Sequence, residues 1–371
     1  MTVVVHVVGA RPNFMKIAPV IHALRAKLPS ARQVLVHTGQ HYDREMSQIF
    51  IEELDLPEPN HFLGVGSGGH GMQVGRALER LEPVLERERP DAAIVAGDVN
   101  STLAGALAAS KLGVPVGHVE AGLRSFDRTM PEEINRILVD QVASWCFTHS
   151  PEAERNLVRE GIEKERIHAV GNTMIDTLVR LRPRIERSDI HERLGIARGD
   201  YAVVTLHRPR LVDGPLFERA LSSLAFISRE LPVVFPVHPR AQARLRHPPS
   251  APGLKLIPPV GYLDFLALEL RAAVVITDSG GLQEETTYLR VPCFTLRDTT
   301  ERPITISHGT NRLLGLDVDA IRDIPSLLGR TPLPLAAPAG WDGHAADRIA
   351  DVLVESLTNT SLLSPTHSAF P

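Results

Sequence analysis

Short apolar runs, each followed by an amphipathic helical pattern, recur along the whole of this 371-residue chain. The runs are rich in β-branched residues, as in VVVHVV at 3–8, AAIVA at 92–96 and AVVIT at 273–277. Runs that are apolar on both faces are typical of strands buried inside a parallel sheet. Strands that alternate with helices predict an α/β fold built on parallel sheets.

The length predicts about two domains, at ~150 residues each. The alternation runs from the start of the chain to Gly171 and Asn172, which we interpret as a hinge, and then resumes at 201–210. We therefore predict one domain over 1–172, a second over 173–340, and a last amphipathic helix with a tail over 341–371. Two such halves with facing strand ends would enclose a cleft.

Composition excludes several classes of protein. A net charge of −4 argues against a nucleic-acid partner, because binding a polyanion requires a basic face. No run approaches the ~20 apolar residues of a membrane helix, and the first ten residues lack the basic start of a signal peptide. Cys146 and Cys293 lie in apolar runs, so we expect small core residues and a reducing cytoplasm.

The segment after the run at 273–277 has the pattern of an anion site. Ser279, Gly280 and Gly281 form a small-residue turn that leads directly into a helix. Free N–H groups and the helix dipole attract anions at such a turn. Glu285 lies about one turn into the helix, where its carboxylate could accept both hydroxyls of a ribose, although an ordinary capped helix start explains the same letters. Arg297 and Arg302 in the next loop could hold a diphosphate.

The first strand is followed by Arg11 and Lys16, which a parallel sheet would direct toward its ligand-binding edge. Only one glycine stands in this turn, so the dinucleotide fingerprint is absent. A solvated pair of basic side chains is the alternative. His37 and His41 do not predict a metal site, because a third ligand is lacking nearby.

Acidic residues follow two strands that we expect to be neighbours. Asp98 comes after AAIVA and Glu120 ends VPVGHVE, so both should lie at the carboxyl edge of the sheet. Two carboxylates brought together raise the pKa of one, which can then serve as an acid. Pro131 starts a helix, and Glu132 and Glu133 come directly after it. Glu133 fits an ordinary complement of the helix dipole, whereas Glu132 stays open.

Several long polar motifs resemble those of the non-hydrolysing UDP-N-acetylglucosamine 2-epimerases. The resemblance covers nearly the whole chain, from GARPNFMKIAP at 9–19 through TDSGGLQEE and RDTTERP to GTNRLLG at 309–315. It implies the GT-B fold, with two Rossmann-like domains facing a central cleft and the last helix packed back on the first domain. It also implies a cytoplasmic homodimer that serves cell-surface polysaccharide synthesis and needs neither NAD nor a catalytic metal.

The implied reaction inverts C2 of UDP-GlcNAc to give UDP-ManNAc, by elimination and readdition of UDP through a 2-acetamidoglucal. The resemblance places Glu285 on the ribose and Phe265 near the uracil. The implied catalytic residues are Asp98, Glu120, Glu132 and His207. The implied substrate-binding residues are Arg11, Lys16, Arg136, His238, Phe265, Ser279, Gly280, Gly281, Glu285 and Arg302. Gln40 and His41 match a possible allosteric site.

The chain departs from better-known members of the family in two loops. It has HRPRLVD at 207–213 where they carry HRREN, and Ile304 where they carry the acid of TERPE. These departures favour a second branch of the family. Three alternatives stay open from the sequence: a hydrolysing epimerase that releases ManNAc and UDP, a GT-B glycosyltransferase, and a non-catalytic nucleotide-sugar sensor.

Overall fold

A computed structural model of the chain describes residues 1–39, 44–245, 249–329 and 333–358. The chain divides into two compact units, one of Met1–Thr177 joined by the segment from Gly340 onward, the other of Leu178–Ala339. The division after Thr177 falls five residues beyond the predicted hinge at 172, inside a helix that contributes residues to both units.

The first unit is built on a seven-stranded parallel sheet in the order β3-β2-β1-β4-β5-β6-β7. Its central strands are fully buried because their Val, Ile and Ala side chains pack against helices on both faces. The strands are β1 Val3–Val8, β2 Arg32–His37, β3 His61–Phe62, β4 Ala92–Ala96, β5 Val116–Val119, β6 Trp145–Thr148 and β7 Ile167–Ala169. The helices are α1 Arg11–Lys27, α2 Arg44–Glu53, α3 His70–Glu88, α4 Asn100–Lys111, α5 Pro131–Val142, α6 Pro151–Arg159 and the first part of α7 Thr173–Glu186, with a 3₁₀ turn at Lys164–Arg166.

The second unit holds a six-stranded parallel sheet in the order β10-β9-β8-β11-β12-β13. Its strands are β8 Ala202–Thr205, β9 Val233–Pro236, β10 Leu254–Ile257, β11 Val274–Thr277, β12 Cys293–Thr295 and β13 Asn311–Leu313. Its helices are α8 Ile190–Leu194, α9 Pro209–Val212, α10 Leu216–Ile227, α11 Pro239–Gln242, α12 Tyr262–Leu270, α13 Gly280–Leu289, α14 Ile304–Ser307 and α15 Ile324–Leu327, with a 3₁₀ helix at Val318–Asp323. Two parallel sheets in an α/β chain confirm the predicted fold class.

The last helix, α16 Ala345–Thr358, belongs to the first unit. It packs against α1, where Lys27 Nζ donates to the Asp351 carboxylate at 2.6 Å and to the Asp347 carbonyl at 2.9 Å. Asp176 accepts hydrogen bonds from the backbone N–H groups of Ala345 and Ala346, at 3.2 and 2.6 Å. The helix start is therefore anchored by a buried carboxylate as well as by apolar packing.

Three residues singled out in the sequence are core residues. His37 is buried between Phe14 and Phe62, with ring centroids 5.3 and 4.9 Å away, and burial lowers its pKa to about 4. Cys146 and Cys293 are both free thiols, and burial raises the pKa of each to about 12. No helix within the described residues combines the length and the apolar character needed to cross a membrane.

Candidate functional site

In the first unit, the predicted acidic residues lie at the carboxyl ends of two paired strands. β4 and β5 are neighbours in register Ala96↔Val119, so Asp98 and Glu120 come after adjacent strand ends as predicted. Gly97 adopts a φ of +67°, which favours glycine. A Cβ atom there would lie 2.9 Å from Lys16 Nζ and 3.3 Å from a Glu120 oxygen. Glycine at this position therefore lets a buried cation and a carboxylate approach the turn.

Lys16 on α1 forms an ion pair with Glu120, and both side chains are 7% exposed. Lys16 thus lies in the interior of the first unit, where it neutralises a candidate catalytic carboxylate; a solvated surface pair is the wrong interpretation for it. Arg11 differs from Lys16, because it is half-buried at the first position of α1 and its guanidinium lies over the Phe50 ring, 4.7 Å from the centroid.

Asp98 has its own cation in Arg136 of α5. The Arg136 guanidinium is buried, and it also donates to Glu133 at 3.0 Å through Nε. Asn135 donates from Nδ2 to the Asp98 carbonyl at 2.8 Å. Each of the two predicted carboxylates is therefore matched by a separate basic side chain, Asp98 by Arg136 and Glu120 by Lys16.

Glu133 also does more than complement a helix dipole. It is 1% exposed and accepts hydrogen bonds at 2.9 Å from the backbone N–H groups of both Ser125 and Phe126. Burial alone would raise its pKa, but these donors and the Arg136 charge hold the pKa below its ordinary value. Glu132 is half-buried one turn before Arg136, and the structure records no hydrogen bond or ion pair for it within the described ranges.

The supporting roles of Glu133 and Asn135 were not predicted from the sequence. One signal could have found Glu133: residues 133, 136 and 140 are polar at i, i+3 and i+7, which places them on one face of α5. All three are buried. A polar stripe at helical spacing on a buried face indicates a network of paired groups, because unpaired charges are costly there.

In the second unit, the predicted anion site begins α13. The helix runs from Gly280 with Ser279 as its N-cap, and the Ser279 side chain makes no capping hydrogen bond. Arg302 is 6% exposed and approaches the same turn, since a Cβ atom on Gly280 would lie 2.6 Å from its Nη1 atom. Gly281 is half-buried in the first turn of the helix. The local geometry thus combines a helix N-terminus with a guanidinium, an arrangement suited to a phosphate group.

The two arginines of the next loop have different surroundings. Arg302 Nε lies 3.1 Å from a Glu284 carboxylate oxygen. Arg297 is also buried, but its guanidinium forms a two-pronged ion pair with Glu301, in which Nη1 donates to Oε2 at 2.8 Å. Arg302 Nη1 also donates to Glu301 Oε2, at 3.3 Å, so both guanidiniums contact the same carboxylate. The suggestion that Arg297 holds a diphosphate stays a prediction.

Glu285 is buried on α13 and accepts a hydrogen bond of 2.7 Å from the Tyr262 hydroxyl. Burial and the nearby Glu284 charge raise its pKa to about 7, although the Tyr262 hydrogen bond opposes the rise. Phe265 lies three residues after Tyr262 on α12 and is half-buried. The candidate ribose ligand is thus a buried carboxyl group whose pKa lies near 7.

His207 comes after β8 and is tied to Asp278, which comes after the neighbouring strand β11. Its Nδ1 atom lies 3.0 Å from Asp278 Oδ1, and its backbone N–H donates to Oδ2 at 2.9 Å. Burial would raise the pKa of Asp278, but the His207 and Arg208 contacts lower it below the ordinary value. His238 is exposed, with its ring centroid 5.5 Å from that of His207. Gln40 and His41 lie outside the described residues.

Comparisons with known proteins agree with this arrangement. The family model described as UDP-N-acetylglucosamine 2-epimerase matches residues 23–354. A protein of that name from Methanococcus maripaludis is 42% identical over 362 residues, covering 94% of this chain and 97% of the relative. A UDP-2,3-diacetamido-2,3-dideoxy-D-glucuronate 2-epimerase from Pseudomonas aeruginosa is 40% identical over 358 residues, covering 94% and 98%.

One solved structure is similar to this chain over the full length of the solved protein. It is the Methanocaldococcus jannaschii UDP-GlcNAc 2-epimerase in complex with UDP-GlcNAc and UDP, with 40% identity and a TM-score of 0.85. The match covers 96% of this chain and 100% of that structure, and it confirms the predicted GT-B fold. Because the family model and the relatives span nearly all of it, this chain belongs to the UDP-N-acetylglucosamine 2-epimerase family.

Proposed function

We propose that the chain is an isomerase that interconverts UDP-GlcNAc and UDP-ManNAc by inverting C2. The observation that carries this proposal is the acid cluster of the first unit. Asp98 and Glu120 are each paired there with a buried cation, while Glu132 has no recorded partner among the residues that the structure describes. Three carboxyl groups exceed what a glycosyltransferase needs, since its acceptor requires about one base. A nucleotide-sugar sensor would need none of them.

We assign removal and return of the C2 proton to this cluster. In the elimination step, one carboxylate takes the proton from C2, the C1–O bond to UDP breaks, and a 2-acetamidoglucal remains. In the addition step, a proton reaches C2 from the opposite face and UDP attacks C1 again. The net reaction balances without any oxidant, reductant or water. Lys16 and Arg136 hold the Glu120 and Asp98 carboxylates in place through ion pairs.

We assign nucleotide binding to the second unit. The first turn of α13 with Ser279, Gly280 and Gly281 suits a phosphate, and Arg302 adds a positive charge at that turn. Glu285 would accept the ribose hydroxyls, and Phe265 offers an aromatic surface for the uracil. We assign His207 to the leaving diphosphate, with His238 and Arg11 as further substrate-binding residues. No metal or nicotinamide cofactor enters any of these steps.

One NMR experiment tests the reaction class. The purified protein is incubated with UDP-GlcNAc in D₂O, and the products are followed with time. Deuterium at C2 of both UDP-sugars is the expected result, because the proton returns from solvent-exchanged acid groups. Free ManNAc would instead indicate the hydrolysing reaction. An unchanged UDP-GlcNAc signal would favour a transferase or a sensor.

A second candidate substrate comes from the 40% identity to the P. aeruginosa relative, whose named substrate has an acetamido group at C3 and a carboxylate at C6. This identity is close to the 42% of the M. maripaludis relative, so overall similarity does not separate the two sugars. The same incubation with UDP-2,3-diacetamido-2,3-dideoxy-D-glucuronate separates them. The larger kcat/KM identifies the preferred substrate.

The predicted homodimer, the cytoplasmic location and the role in cell-surface polysaccharide synthesis stay predictions. Light scattering on the purified chain measures the oligomeric state directly. A monomer at micromolar concentration would contradict the predicted dimer without affecting the proposed reaction.

A further inference from the structure

A second buried network lies beneath the acid cluster and contains none of the residues predicted from the sequence. At its centre is Asp140 near the end of α5, with 0% exposure. Its Oδ1 atom lies 2.6 Å from His118 Nδ1, and its Oδ2 atom accepts the Gly122 N–H at 3.0 Å. Arg124 Nη2 lies 2.7 Å from the same Oδ2 atom. One carboxylate therefore binds three groups from β5 and the segment after it.

His118 extends this network to the neighbouring strand. It is 0% exposed, and its Nε2 atom lies 2.8 Å from the Gly97 carbonyl oxygen. A carbonyl oxygen can only accept a hydrogen bond, and Asp140 is an acceptor on the other side, so both His118 nitrogens donate. Burial alone would raise the pKa of Asp140, but the His118 and Arg124 charges lower it below its ordinary value.

The atoms held by this network flank the two paired acids. Gly97, whose carbonyl accepts from His118, directly precedes Asp98. His118 and Gly122 stand two residues before and after Glu120, which has a φ of +73° although it is not glycine. Such a backbone conformation is unfavourable for a residue other than glycine and persists only when its surroundings hold it. Asp140 binds the segment on both sides of the strained residue.

Stability alone is a poor explanation for these charges. Groups buried as ion pairs lose their hydration, and well-packed apolar side chains often stabilise a fold as well or better. Arg124 needs a second carboxylate, Glu160, which accepts from its Nε and Nη2 atoms at 2.8 and 2.6 Å. The network instead fixes backbone positions, because its hydrogen bonds hold the turns at Gly97 and Glu120 in place.

We propose that Asp140 and His118 form a positioning pair that aligns the Asp98 and Glu120 carboxylates for proton transfer at C2. This inference rests on the proposed function. Neither residue touches the sugar; Asp140 acts through His118 and Gly122, and His118 acts through the Gly97 carbonyl. A misplacement of about 1 Å at a reacting group can lower a rate about 100-fold. Small shifts in these two turns should therefore affect turnover far more than nucleotide binding.

The test compares the parent enzyme with Asp140→Asn, His118→Gln and the double variant. We expect kcat for C2 epimerisation to fall about 10–100-fold in each single variant, while KM and the Kd for UDP change less than about threefold. The double variant should be no slower than the worse single variant, because residues that act as a unit are not additive. Deuterium entry at C2 of the UDP-sugar should slow in parallel with kcat.

His6→Gln provides the matched control. His6 is also a fully buried strand histidine of the same sheet with a side-chain partner, Gln33 Oε1 at 2.9 Å from Nε2. Burial lowers its pKa to about 4, so it is neutral, and it lies away from the strand ends. This variant should lose stability but keep kcat within about twofold. Circular dichroism identifies a temperature at which all variants are folded, so that the rates compare folded proteins.

The outcomes separate this inference from the proposed function. An active parent whose Asp140→Asn and His118→Gln variants keep kcat within about threefold would overturn the positioning role alone. The same holds if these variants and His6→Gln all lose kcat only in proportion to their loss of folded protein. A parent that leaves C2 of both candidate UDP-sugars unlabelled in D₂O would overturn the proposed function, and the positioning role with it.

Discussion

Replacing Glu285 with glutamine should stabilise the second unit and weaken UDP binding at the same time. Glu285 is 2% exposed, and its pKa is raised from 4.5 to about 7. Its carboxyl group holds its proton in the folded state at pH values where the unfolded chain has lost it. Since the folded state binds more protons, stability falls as the pH rises from about 4.5 to about 7, and the loss is complete above that range.

The size of the effect is set by the pKa shift. The pKa difference of 7 − 4.5 = 2.5 units, at about 1.36 kcal/mol per unit, corresponds to about 3 kcal/mol. Glutamine has the same shape, still accepts from Tyr262, and does not titrate. We therefore expect Glu285→Gln to exceed the parent stability by about 3 kcal/mol at pH 8 and to equal it near pH 4.5. The pKa of buried Glu269 is raised by burial and by the Glu285 charge. Removing that charge therefore also stabilises the variant above the pKa range, in the same direction as the loss of the Glu285 titration.

Differential scanning calorimetry from pH 5 to pH 8 measures the stability difference, and titration calorimetry at pH 8 measures UDP affinity. A neutral amide is a weaker acceptor than a carboxylate, so UDP affinity should fall at least tenfold, in line with the ~1.5–3 kcal/mol of a charged hydrogen bond. Glu230→Gln is the control, because it removes one charge from an exposed position of the same unit. It should change stability by less than about 0.5 kcal/mol.

Two results would refute this reasoning. If Glu285→Gln and the parent lose stability equally between pH 5 and pH 8, the carboxyl group does not titrate there. If the variant is stabilised but binds UDP as the parent does, Glu285 is a buried structural acid and does not contact the ribose.

The remaining predictions concern the acids and the anion site. Turnover should fall about 10²–10⁴-fold, with UDP affinity retained, when any one of the proposed acid–base groups becomes an amide, and steady-state kinetics measure this. The three variants are Asp98→Asn, Glu120→Gln and Glu132→Gln. Gly280→Ala should weaken UDP binding about tenfold by titration calorimetry, because its Cβ atom would lie 2.6 Å from Arg302 Nη1 and displace the guanidinium.

Each of these predictions can fail clearly. Three acid variants that all epimerise within a few-fold of the parent would show that the catalytic cluster is wrong even though the fold is right. Gly75→Ala is the control for Gly280→Ala, since nothing lies within 4 Å of a Cβ atom there and the helix should tolerate it. Equal UDP affinities for the two alanine variants would contradict the anion site at α13.

The central strands could be predicted from the sequence because a strand buried on both faces needs a continuous apolar run, and that is a local property. β1 and β4 have the same bounds as the runs at 3–8 and 92–96. The edge strands β3 and β13 were not predicted, being two and three residues long. Two or three residues are too few to show a strand pattern in the sequence. They become strands because they pair with a neighbouring strand.

The positions of Asp98, Glu120 and the turn at Ser279 could also be predicted from the sequence, because the residues at the carboxyl ends of parallel strands all lie at one edge of the sheet. Their partners could not. Lys16 pairs with Glu120, which is 104 residues away in the sequence, and Arg136 pairs with Asp98, which is 38 residues away. Arg297 and Arg302 share one loop and both contact Glu301, yet it is the Arg302 guanidinium that also borders Gly280. Strand order and helix packing decide which charges meet, since an ion pair depends on a few ångströms between segments that sequence distance does not encode.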